Sequence, residues 1–506
     1  MRVEDQSDTR KFLCDPRTHG GAGPVELVET HISAVFLAGR RAYKLKQAVR
    51  LPYADFSTPG IRLAACEKEL ELNRATAPEL YLGVRRITRE PGGPAFDGPG
   101  PLIDAVVEME RFEQDSLFDR MAQAGRLDAP LIRALAAEIA AAHDAARPLP
   151  DEPGAANIEG VLDINRAGFG ESDVFAEDEI EAIDSAFRSR LGTLAPLLDK
   201  RARAGFIRRC HGDLHLRNIC LWQGRPRLFD CIDFNDRLAI IDLLYDLAFM
   251  AMDLWHRGRK DFANLLVNRY LDRTGQEEGF ALMPFFTALR AAVRAHVTAT
   301  QAASGRPGLA EEARSYYRLA MACLAPEPAR LVAIGGLSGS GKSTVASALA
   351  PHLGAPPGAR LVESDLARKA MFGVEPETRL PPEAYRPDVS DRVYAAMADR
   401  SQALLRQGAV VVADAVYDRP ERRAGIAAAA EAAGVPFTGL WLDVAPQILR
   451  DRVAARRDSV SDATGDVLEA QLARGTGEIR WRHVDGTCPA GEQAGALAAE
   501  LQPEEG

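Results

Sequence analysis

Glycines, a lysine and a hydroxyl residue lie together at residues 336–343, where the sequence reads GLSGSGKS. The stretch fits the pattern G-x-x-x-x-G-K-[ST] in full, between a predicted apolar strand and a predicted helix. Glycines let backbone N–H groups curl around a polyphosphate, and the helix N-terminus adds its positive dipole end. The lysine would reach the β- and γ-phosphates, and the serine would ligate Mg²⁺. We therefore predict a nucleotide site at Gly336, Leu337, Ser338, Gly339, Ser340, Gly341, Lys342, Ser343 and Thr344.

Two aspartates follow apolar strands downstream of this motif. Asp365 closes RLVESD, where a small-molecule P-loop kinase places a carboxylate facing the acceptor hydroxyl, so it is a candidate catalytic residue alongside Lys342. Asp414, in AVVVADAV, stands where a Walker-B-type carboxylate would hold the magnesium shell. For either aspartate the structural alternative is a helix N-cap.

Arginines are concentrated in the later segment ILRDRVAARRDSVSDAT. Arg452 and Arg456 are predicted on one helical stretch, from which they could close over bound phosphates and stabilise negative charge in the transition state. A solvated, salt-bridged helix face is the alternative.

A second group of polar residues lies in HGDLHLRN, at residues 211–218. Asp213 precedes Asn218 by five residues, which is the spacing of a kinase catalytic loop. In such a loop the aspartate orients or deprotonates the acceptor hydroxyl, and the asparagine binds a metal. An apolar strand then delivers Asp230 and Asp233, one of which should be the remaining metal ligand. The residues alone leave the choice between them open.

An ATP-clamping lysine and its acidic partner are expected upstream of that loop. Lys44 lies on a predicted strand, and Glu69 lies in the following predicted helix, so that they could form the pair that aligns the α- and β-phosphates. Lys46 is the alternative lysine, because a register shift of two residues keeps the same face of the strand. Glu67 is the alternative acid.

The elements that position these residues differ between the two halves of the chain. Before residue 325, a strand hairpin broken at 38–40, a turn-rich loop at 90–101 and long helical stretches predict an α+β, two-lobed, protein-kinase-like domain. After a proline-containing linker at 324–330, apolar strands alternate with helices, which is typical of an α/β P-loop domain with a parallel sheet. We place the domains at 1–325 and 326–506.

Composition excludes several classes of protein. The 506 residues carry a net charge of −10, which argues against a protein that neutralises nucleic-acid phosphates. No apolar stretch is long enough to span a membrane, and the N-terminus lacks the features of a secretory signal. Seven cysteines without a C-x-x-C pair fit a reducing cytoplasm. The sequence does not indicate an oligomeric state.

Three resemblances follow from these motifs. Residues 331–506 resemble gluconate-kinase/zeta-toxin-like P-loop kinases, and residues 25–320 resemble the aminoglycoside phosphotransferase/choline-kinase superfamily. The whole chain resembles the bifunctional aminoglycoside phosphotransferase/ATP-binding protein family, through THISAVFLAGRRAYKLK, YLGV, HGDLHLRNI, FDCI and GLSGSGKST. The resemblance favours Asp230 as the metal ligand. The opening hairpin departs from protein kinases because it lacks G-x-G-x-x-G, which disfavours protein substrates.

We therefore expect two ATP- and Mg²⁺-dependent sites that transfer the γ-phosphate to hydroxyl groups of small-molecule acceptors. A regulatory protein that binds or hydrolyses ATP, with a kinase-like domain that does not transfer phosphate, is one alternative. A nucleic-acid end kinase is another, which the acidic net charge disfavours.

Overall fold

The structure is a computed structural model that describes residues 3–21, 23–30, 32–51, 54–303, 306–376, 378–455 and 465–501. The chain divides into two compact units. The first comprises Met1–Gly154 and Asp199–Met250, and the second comprises Ala155–Leu198 and Ala251–Gly506.

The first unit begins with a six-stranded antiparallel sheet in the order β1-β2-β3-β8-β6-β7. The predicted hairpin is confirmed, because β2 and β3 pair on either side of Gly39, which has a φ of 55°. The predicted loop at 90–101 is wrong in part, since β7 lies inside it and turns back on β6 at Pro91 and Gly92. The elements are α1 Ser7–Cys14, β1 Glu26–Glu29, β2 Ser33–Ala38, β3 Arg41–Lys46, β4 Arg50–Leu51, β5 Ala54–Asp55, α2 Pro59–Asn73, β6 Tyr81–Glu90, β7 Gly93–Phe96 and β8 Leu102–Glu110.

Helix α2 packs on this sheet and presents Glu69 to it. The helix begins where Thr58 accepts a hydrogen bond from Ile61 N, with Pro59 in its first turn. Its buried side chains include Cys66, whose Sγ lies 3.7 Å from Ala105 O of the sheet. Glu69 lies on the same buried face, one turn further on.

Four helices follow: α3 Phe118–Gln123, α4 Ala129–Ala145, α5 Ala155–Phe169 and α6 Glu177–Arg203. Helix α4 begins at an N-cap, because Asp128 accepts a hydrogen bond from Leu131 N at 2.9 Å. Its buried face carries Ile132, Leu135, Ile139 and His143, which recur every three or four residues.

The second lobe of the first unit holds the loop at 211–218 between short strands. Strand β9 pairs with β12, and β10 pairs with β11. The elements are β9 Ile207–Arg209, β10 Ile219–Trp222, β11 Arg225–Leu228, α7 Asp236–Ala239, β12 Ile240–Asp242 and α8 Leu243–His256.

The second unit contains a helical part and a five-stranded parallel sheet in the order β14-β15-β13-β16-β17. Its core includes Val332, Leu349, Val412 and Leu497. The elements are α9 Lys260–Thr274, α10 Met283–Ala302, α11 Leu309–Leu324, β13 Arg330–Gly335, α12 Lys342–Leu349, β14 Arg360–Glu363, α13 Ser364–Met371, α14 Pro387–Arg406, β15 Val410–Asp414, α15 Pro420–Ala433, β16 Phe437–Asp443, α16 Pro446–Ala454, α17 Gly465–Arg474, β17 Arg482–Asp485 and α18 Ala490–Leu501.

The predicted fold class is therefore confirmed: a kinase-like α+β region precedes an α/β region with a parallel sheet. Helix α11 ends at Leu324 and β13 begins at Arg330, with neither helix nor strand between them. The domain boundary at 325–326 stays a prediction. Within the described part of the chain, no helix has the length and apolar character needed to cross a membrane.

Candidate functional site

The loop between β9 and β10 brings Asp213 and Asn218 into contact. Asn218 Nδ2 donates to Asp213 Oδ2 at 2.9 Å, and His215 Nε2 lies 3.3 Å from the same oxygen. Burial raises the pKa of the Asp213 carboxyl, but the charge and hydrogen bond of His215 and the amide of Asn218 bring this pKa below its ordinary value. Asp213 is therefore an anion at neutral pH and can accept a proton or a hydrogen bond from a hydroxyl.

Asp246 in α8 fixes the start of this loop. Its carboxylate accepts hydrogen bonds from His211 N at 3.2 Å and from Gly212 N at 2.9 Å. His143 Nε2 lies 3.1 Å from the same carboxylate, and both side chains are buried. Gly212 has a φ of 82°, and a Cβ there would lie 3.0 Å from Ile232 Cδ1, so the turn needs glycine. Asp246 therefore supports the start of the loop that carries Asp213.

Lys44 and Lys46 share one buried carboxylate. Lys44 Nζ lies 2.7 Å from Glu69 Oε1, and Lys46 Nζ lies 2.6 Å from Glu69 Oε2. Burial raises the pKa of Glu69, but the two ammonium groups lower it to about 2. Glu67, the alternative acid, is exposed. The lysine–glutamate pair predicted from the sequence therefore forms with Glu69, and both candidate lysines take part in it.

Asp230 and Asp233 have different surroundings. Asp233 is 5% exposed and lies 2.5 Å from Lys46 Nζ, and burial raises its pKa. Asp230 makes an ion pair with Lys44, yet its side chain is 44% exposed. Its φ of 61° is unusual for a residue with a side chain, and such backbone strain is concentrated at functional sites. Asp230 therefore presents a carboxylate to open space, whereas Asp233 is enclosed.

The oxygen atoms near Asp213 fit a magnesium ion. Phe229 N donates to Asn218 O at 3.0 Å, which brings Asn218 beside the segment that carries Asp230. The Asn218 amide uses its nitrogen on Asp213, so its oxygen is available. Amide and carboxylate oxygens are the ligands that Mg²⁺ prefers.

The P-loop connects β13 to α12 in the second unit. Gly336, Gly339 and Gly341 have φ values of 153°, 90° and 90°. At Gly339 a Cβ would lie 2.9 Å from Leu449 O, so only glycine fits there. Lys342, Ser343 and Thr344 form the first turn of α12, where free N–H groups attract anions.

Asp414, at the end of β15, lies beside this loop. Asp414 is paired with Ile334 of β13 in the sheet, and its side chain is 3% exposed. Burial raises its pKa to about 7, with a further contribution from Glu363 and Asp365, against the opposing effects of Lys342 and the Ser343 hydroxyl. Asp414 Oδ1 is buried and accepts no hydrogen bond from the described residues. A buried carboxylate oxygen without a partner, near a serine hydroxyl, fits a magnesium site.

Of the two predicted arginines, Arg452 lies within the described residues. Arg452 Nη1 donates to Gly486 O at 2.9 Å and lies 3.3 Å from Ser340 O, so its guanidinium contacts the P-loop backbone. Arg456 lies outside the described residues.

Comparisons with known proteins cover both halves of the chain. A family model described as "Phosphotransferase enzyme family" matches residues 74–286, and one described as "AAA domain" matches residues 331–477. Uncharacterized proteins of Mycobacterium tuberculosis and Mycobacterium bovis are each 30% identical over 481 residues, which is 92% of this chain and 93% of each relative. The chain belongs to the bifunctional aminoglycoside phosphotransferase/ATP-binding protein family. Its domain families make it a kinase-like, nucleotide-binding phosphotransferase, and the resemblance stated from the sequence is confirmed.

Solved structures resemble each half of this family member. A choline/ethanolamine kinase family protein from Mesorhizobium loti has 15% identity and a TM-score of 0.38, covering 63% of this chain and 94% of its own. A sugar kinase from Janibacter sp. has 22% identity and a TM-score of 0.25, covering 34% and 94%. A gluconokinase from Sinorhizobium meliloti has 24% identity and a TM-score of 0.24, covering 35% and 93%.

Two residues near the P-loop were missed by sequence reasoning in this member of the bifunctional family. Gln471 Oε1 accepts a hydrogen bond from Ser338 N at 2.9 Å, and both residues are buried. Glu363 ends β14 and is the partner of Asp414 in the parallel pairing of β14 with β15. A glutamine in a helix carries no sequence signal for this contact. Glu363 does carry a sequence signal, because it lies two residues before Asp365.

Proposed function

We propose that the chain is an ATP- and Mg²⁺-dependent phosphotransferase with two nucleotide sites, each of which transfers the γ-phosphate to a hydroxyl group of a small-molecule acceptor. One observation carries the proposal: Lys44 lies between the buried Glu69 and the partly exposed Asp230. A lysine held in this way is placed to contact the α- and β-phosphates while a carboxylate beside it remains open to a metal.

In the first site, Asp213 would accept the proton of the acceptor hydroxyl, and Asn218 and Asp230 would hold the magnesium ion. A bound Mg²⁺ would neutralise negative charge on the phosphates. Asp233 would act indirectly. Its carboxylate pairs with Lys46, and Lys46 pairs with Glu69. Positioning and charge neutralisation are the main contributions that such a site makes to phosphoryl transfer.

In the second site, the P-loop N–H groups and Lys342 would hold the phosphates, and Ser343 and Asp414 would hold magnesium. Asp365 would face the acceptor hydroxyl. Arg452 and Arg456 would approach the phosphates from the segment after β16. We assign the first site to a domain at 1–325 and the second to a domain at 326–506.

Two features support small-molecule acceptors. The first hairpin lacks the glycine loop that protein kinases use, and the net charge of −10 disfavours a polynucleotide acceptor. Both features favour hydroxyl groups of metabolites as the acceptors.

The test uses the full chain and two variants, each of which disables one site. Asp213→Asn removes the base of the first site, and Lys342→Ala removes the phosphate ligand of the second. Acceptor-dependent release of ADP is measured over a panel of alcohols, sugars and aminoglycosides. We expect each acceptor to lose turnover in one variant and keep it in the other. Asp236→Asn is the control for the first variant, because this aspartate is exposed and pairs with Lys68.

The alternatives predict other results. Binding of Mg-ATP without any acceptor-dependent turnover would favour a regulatory ATP-binding protein. Turnover with a DNA or RNA oligonucleotide alone would favour a nucleic-acid end kinase. Turnover that is equal in the wild type and in the variant with both substitutions would contradict the proposal.

A further inference from the structure

Helix α9 lies in the same compact unit as the P-loop sheet and bonds to the edge strand of that sheet. Asn268 Oδ1 accepts a hydrogen bond from Leu361 N at 2.8 Å, and Asn268 Nδ2 donates to Ala359 O at 3.3 Å. One turn earlier, Asn264 Nδ2 donates to the same carbonyl at 2.9 Å. Asn264 and Asn268 are four residues apart and therefore lie on the same face of α9. This face runs along the backbone that enters β14.

Buried charge strengthens this contact. Arg360, the first residue of β14, is fully buried and forms ion pairs with Asp272 of α9 and with Glu277 just after α9. Arg400 of α14 pairs with the same two carboxylates. Separating these groups would leave charges without partners in the interior, which is strongly unfavourable for a buried ion pair. The start of β14 is therefore firmly held against α9.

The end of β14 is held by a second arginine of the same helix. Arg269 Nη2 lies 2.9 Å from Glu363 Oε2, with side chains 12% and 13% exposed. Arg269 Nη1 also donates to Asp272 Oδ2 at 3.1 Å, which fixes the guanidinium on the helix. Glu363 is the last residue of β14, and Asp365 follows in the first turn of α13.

Two strands end side by side at this edge of the sheet. Glu363 and Asp414 are partners in the parallel pairing of β14 with β15, and Asp365 follows two residues after Glu363. A carboxylate that is only 13% exposed is costly to bury without a partner, so a cation is needed to hold Glu363 in this position. Arg269 is the cation that contacts it.

We propose that Arg269 is a positioning residue of the P-loop site, where it holds Glu363 and thereby fixes the strand end that carries Asp365 toward the acceptor. The inference rests on the proposed function of that site. Helix α9 lies inside residues 74–286, the stretch matched by the phosphotransferase family model. The first family domain therefore contributes a residue to the site of the second.

The test uses the full chain with Asp213→Asn, which silences the first site, and Mg-ATP with water as the acceptor. We expect Arg269→Gln to lower kcat for ADP release by about 10- to 100-fold, as small displacements of reacting groups do. KM for ATP should stay within about twofold, because the observed partners of Arg269 are Asp272 and Glu363, which lie outside the P-loop. Arg269→Lys should restore most of kcat.

Arg273→Gln is the matched control. Arg273 lies on the same helix and pairs with Glu375 at 2.8 Å, so its replacement also breaks an ion pair from α9 but spares Glu363. We expect its kcat to equal that of the parent protein. A loss as large as that of Arg269→Gln would show a general loosening of α9 and overturn the inference.

A double-mutant cycle with Glu363→Gln tests the route of the effect. If Arg269 acts through Glu363, Arg269→Gln changes kcat little further once Glu363 is neutral. An equal loss in both backgrounds, or an unchanged kcat in Arg269→Gln, overturns the inference while the proposed function stands. A parent protein that releases no more ADP than its Lys342→Ala variant, with water and with every member of the acceptor panel, would instead contradict the proposed function of this site.

Discussion

Asn218 Nδ2 donates to both the side chain and the main-chain carbonyl of Asp213, at 2.9 Å in each case. One amide thus sets the rotamer of the proposed base and leaves its own oxygen for a metal. The two roles that kinase catalytic loops assign to this pair are therefore coupled through a single side chain.

Asp213→Asn should abolish most turnover at the first site while Mg-ATP binding persists. The neutral amide cannot accept the hydroxyl proton, and loss of a general base costs about 10²- to 10⁴-fold in kcat. With Lys342→Ala present to silence the second site, acceptor-dependent ADP release gives kcat, and calorimetry gives the affinity for Mg-ATP. A variant with unchanged kcat would show that Asp213 is not the base.

Lys44→Met should lower kcat/KM for ATP at the first site by about 10²-fold, the usual cost of removing one electrostatic contact to a transferring group. The fold should remain, since Glu69 keeps its ion pair with Lys46. The measurement is ADP release in the Lys342→Ala background, with circular dichroism to confirm folding. Lys68→Met is the control, because Lys68 lies on the surface of α2 and pairs with Asp236. Equal effects of the two substitutions would argue against an ATP-contacting role for Lys44.

Glu69→Ala should reduce the free energy of unfolding by about 3 kcal/mol. Two buried ammonium groups lose the carboxylate they share, although Lys44 keeps Asp230 and Lys46 keeps Asp233. Urea unfolding measures the change. Glu67→Ala, on the exposed face of the same helix, should stay within about 0.5 kcal/mol of the wild type. If Glu69→Ala lowered the free energy of unfolding no more than Glu67→Ala is expected to, the charge cluster would contribute little to stability.

Stability without magnesium should fall as pH rises toward 7. Burial raises the pKa of Asp414 from 3.8 to about 7, so between these values the folded protein keeps a proton that the unfolded chain releases. The unfolding free energy therefore decreases with pH across this window, by up to about 4 kcal/mol. Urea unfolding of the wild type and of Asp414→Asn measures the difference. Parallel pH profiles for the two proteins would contradict the assignment.

The affinity of the P-loop site for Mg-ATP should instead increase as pH rises toward 7. Mg²⁺ must displace the proton from Asp414, so affinity for Mg-ATP should rise about tenfold per pH unit below 7 and level off above it. Calorimetry in the Asp213→Asn, Lys44→Met background isolates this site. Asp414→Asn should bind Mg-ATP more weakly and with little pH dependence. A pH-independent affinity in the parent would show that Asp414 does not ligate the metal.

The sequence predicts those parts of the two sites that are contiguous along the chain. The P-loop, the pair Asp213 and Asn218, and the strand pattern of each half are each contained in a short segment, where spacing carries the information. The sequence does not decide in this way whether Asp230 or Asp233 is the metal ligand. The choice depends on Lys46, which is 187 positions from Asp233 and whose contact no local pattern reveals.

Long-range contacts also explain the residues that sequence reasoning missed. Gln471 reaches Ser338 across 133 positions. Arg269 and Glu363 come from different predicted domains, and each taken alone is an ordinary charged residue of a helix or a strand end. Pairing across such distances follows from the packing of α9 on β14, which periodicity does not encode.

The side-chain amide of Asn268 presents one donor and one acceptor to β14, as a peptide group of an additional strand would. An uncovered outer strand is a template for pairing with another extended chain, and proteins protect such edges. A fragment that begins at residue 326 would lose this cover together with the carboxylates around Arg360. The bared strand would then favour self-association of that fragment, so the second kinase-like half is best studied with α9 attached.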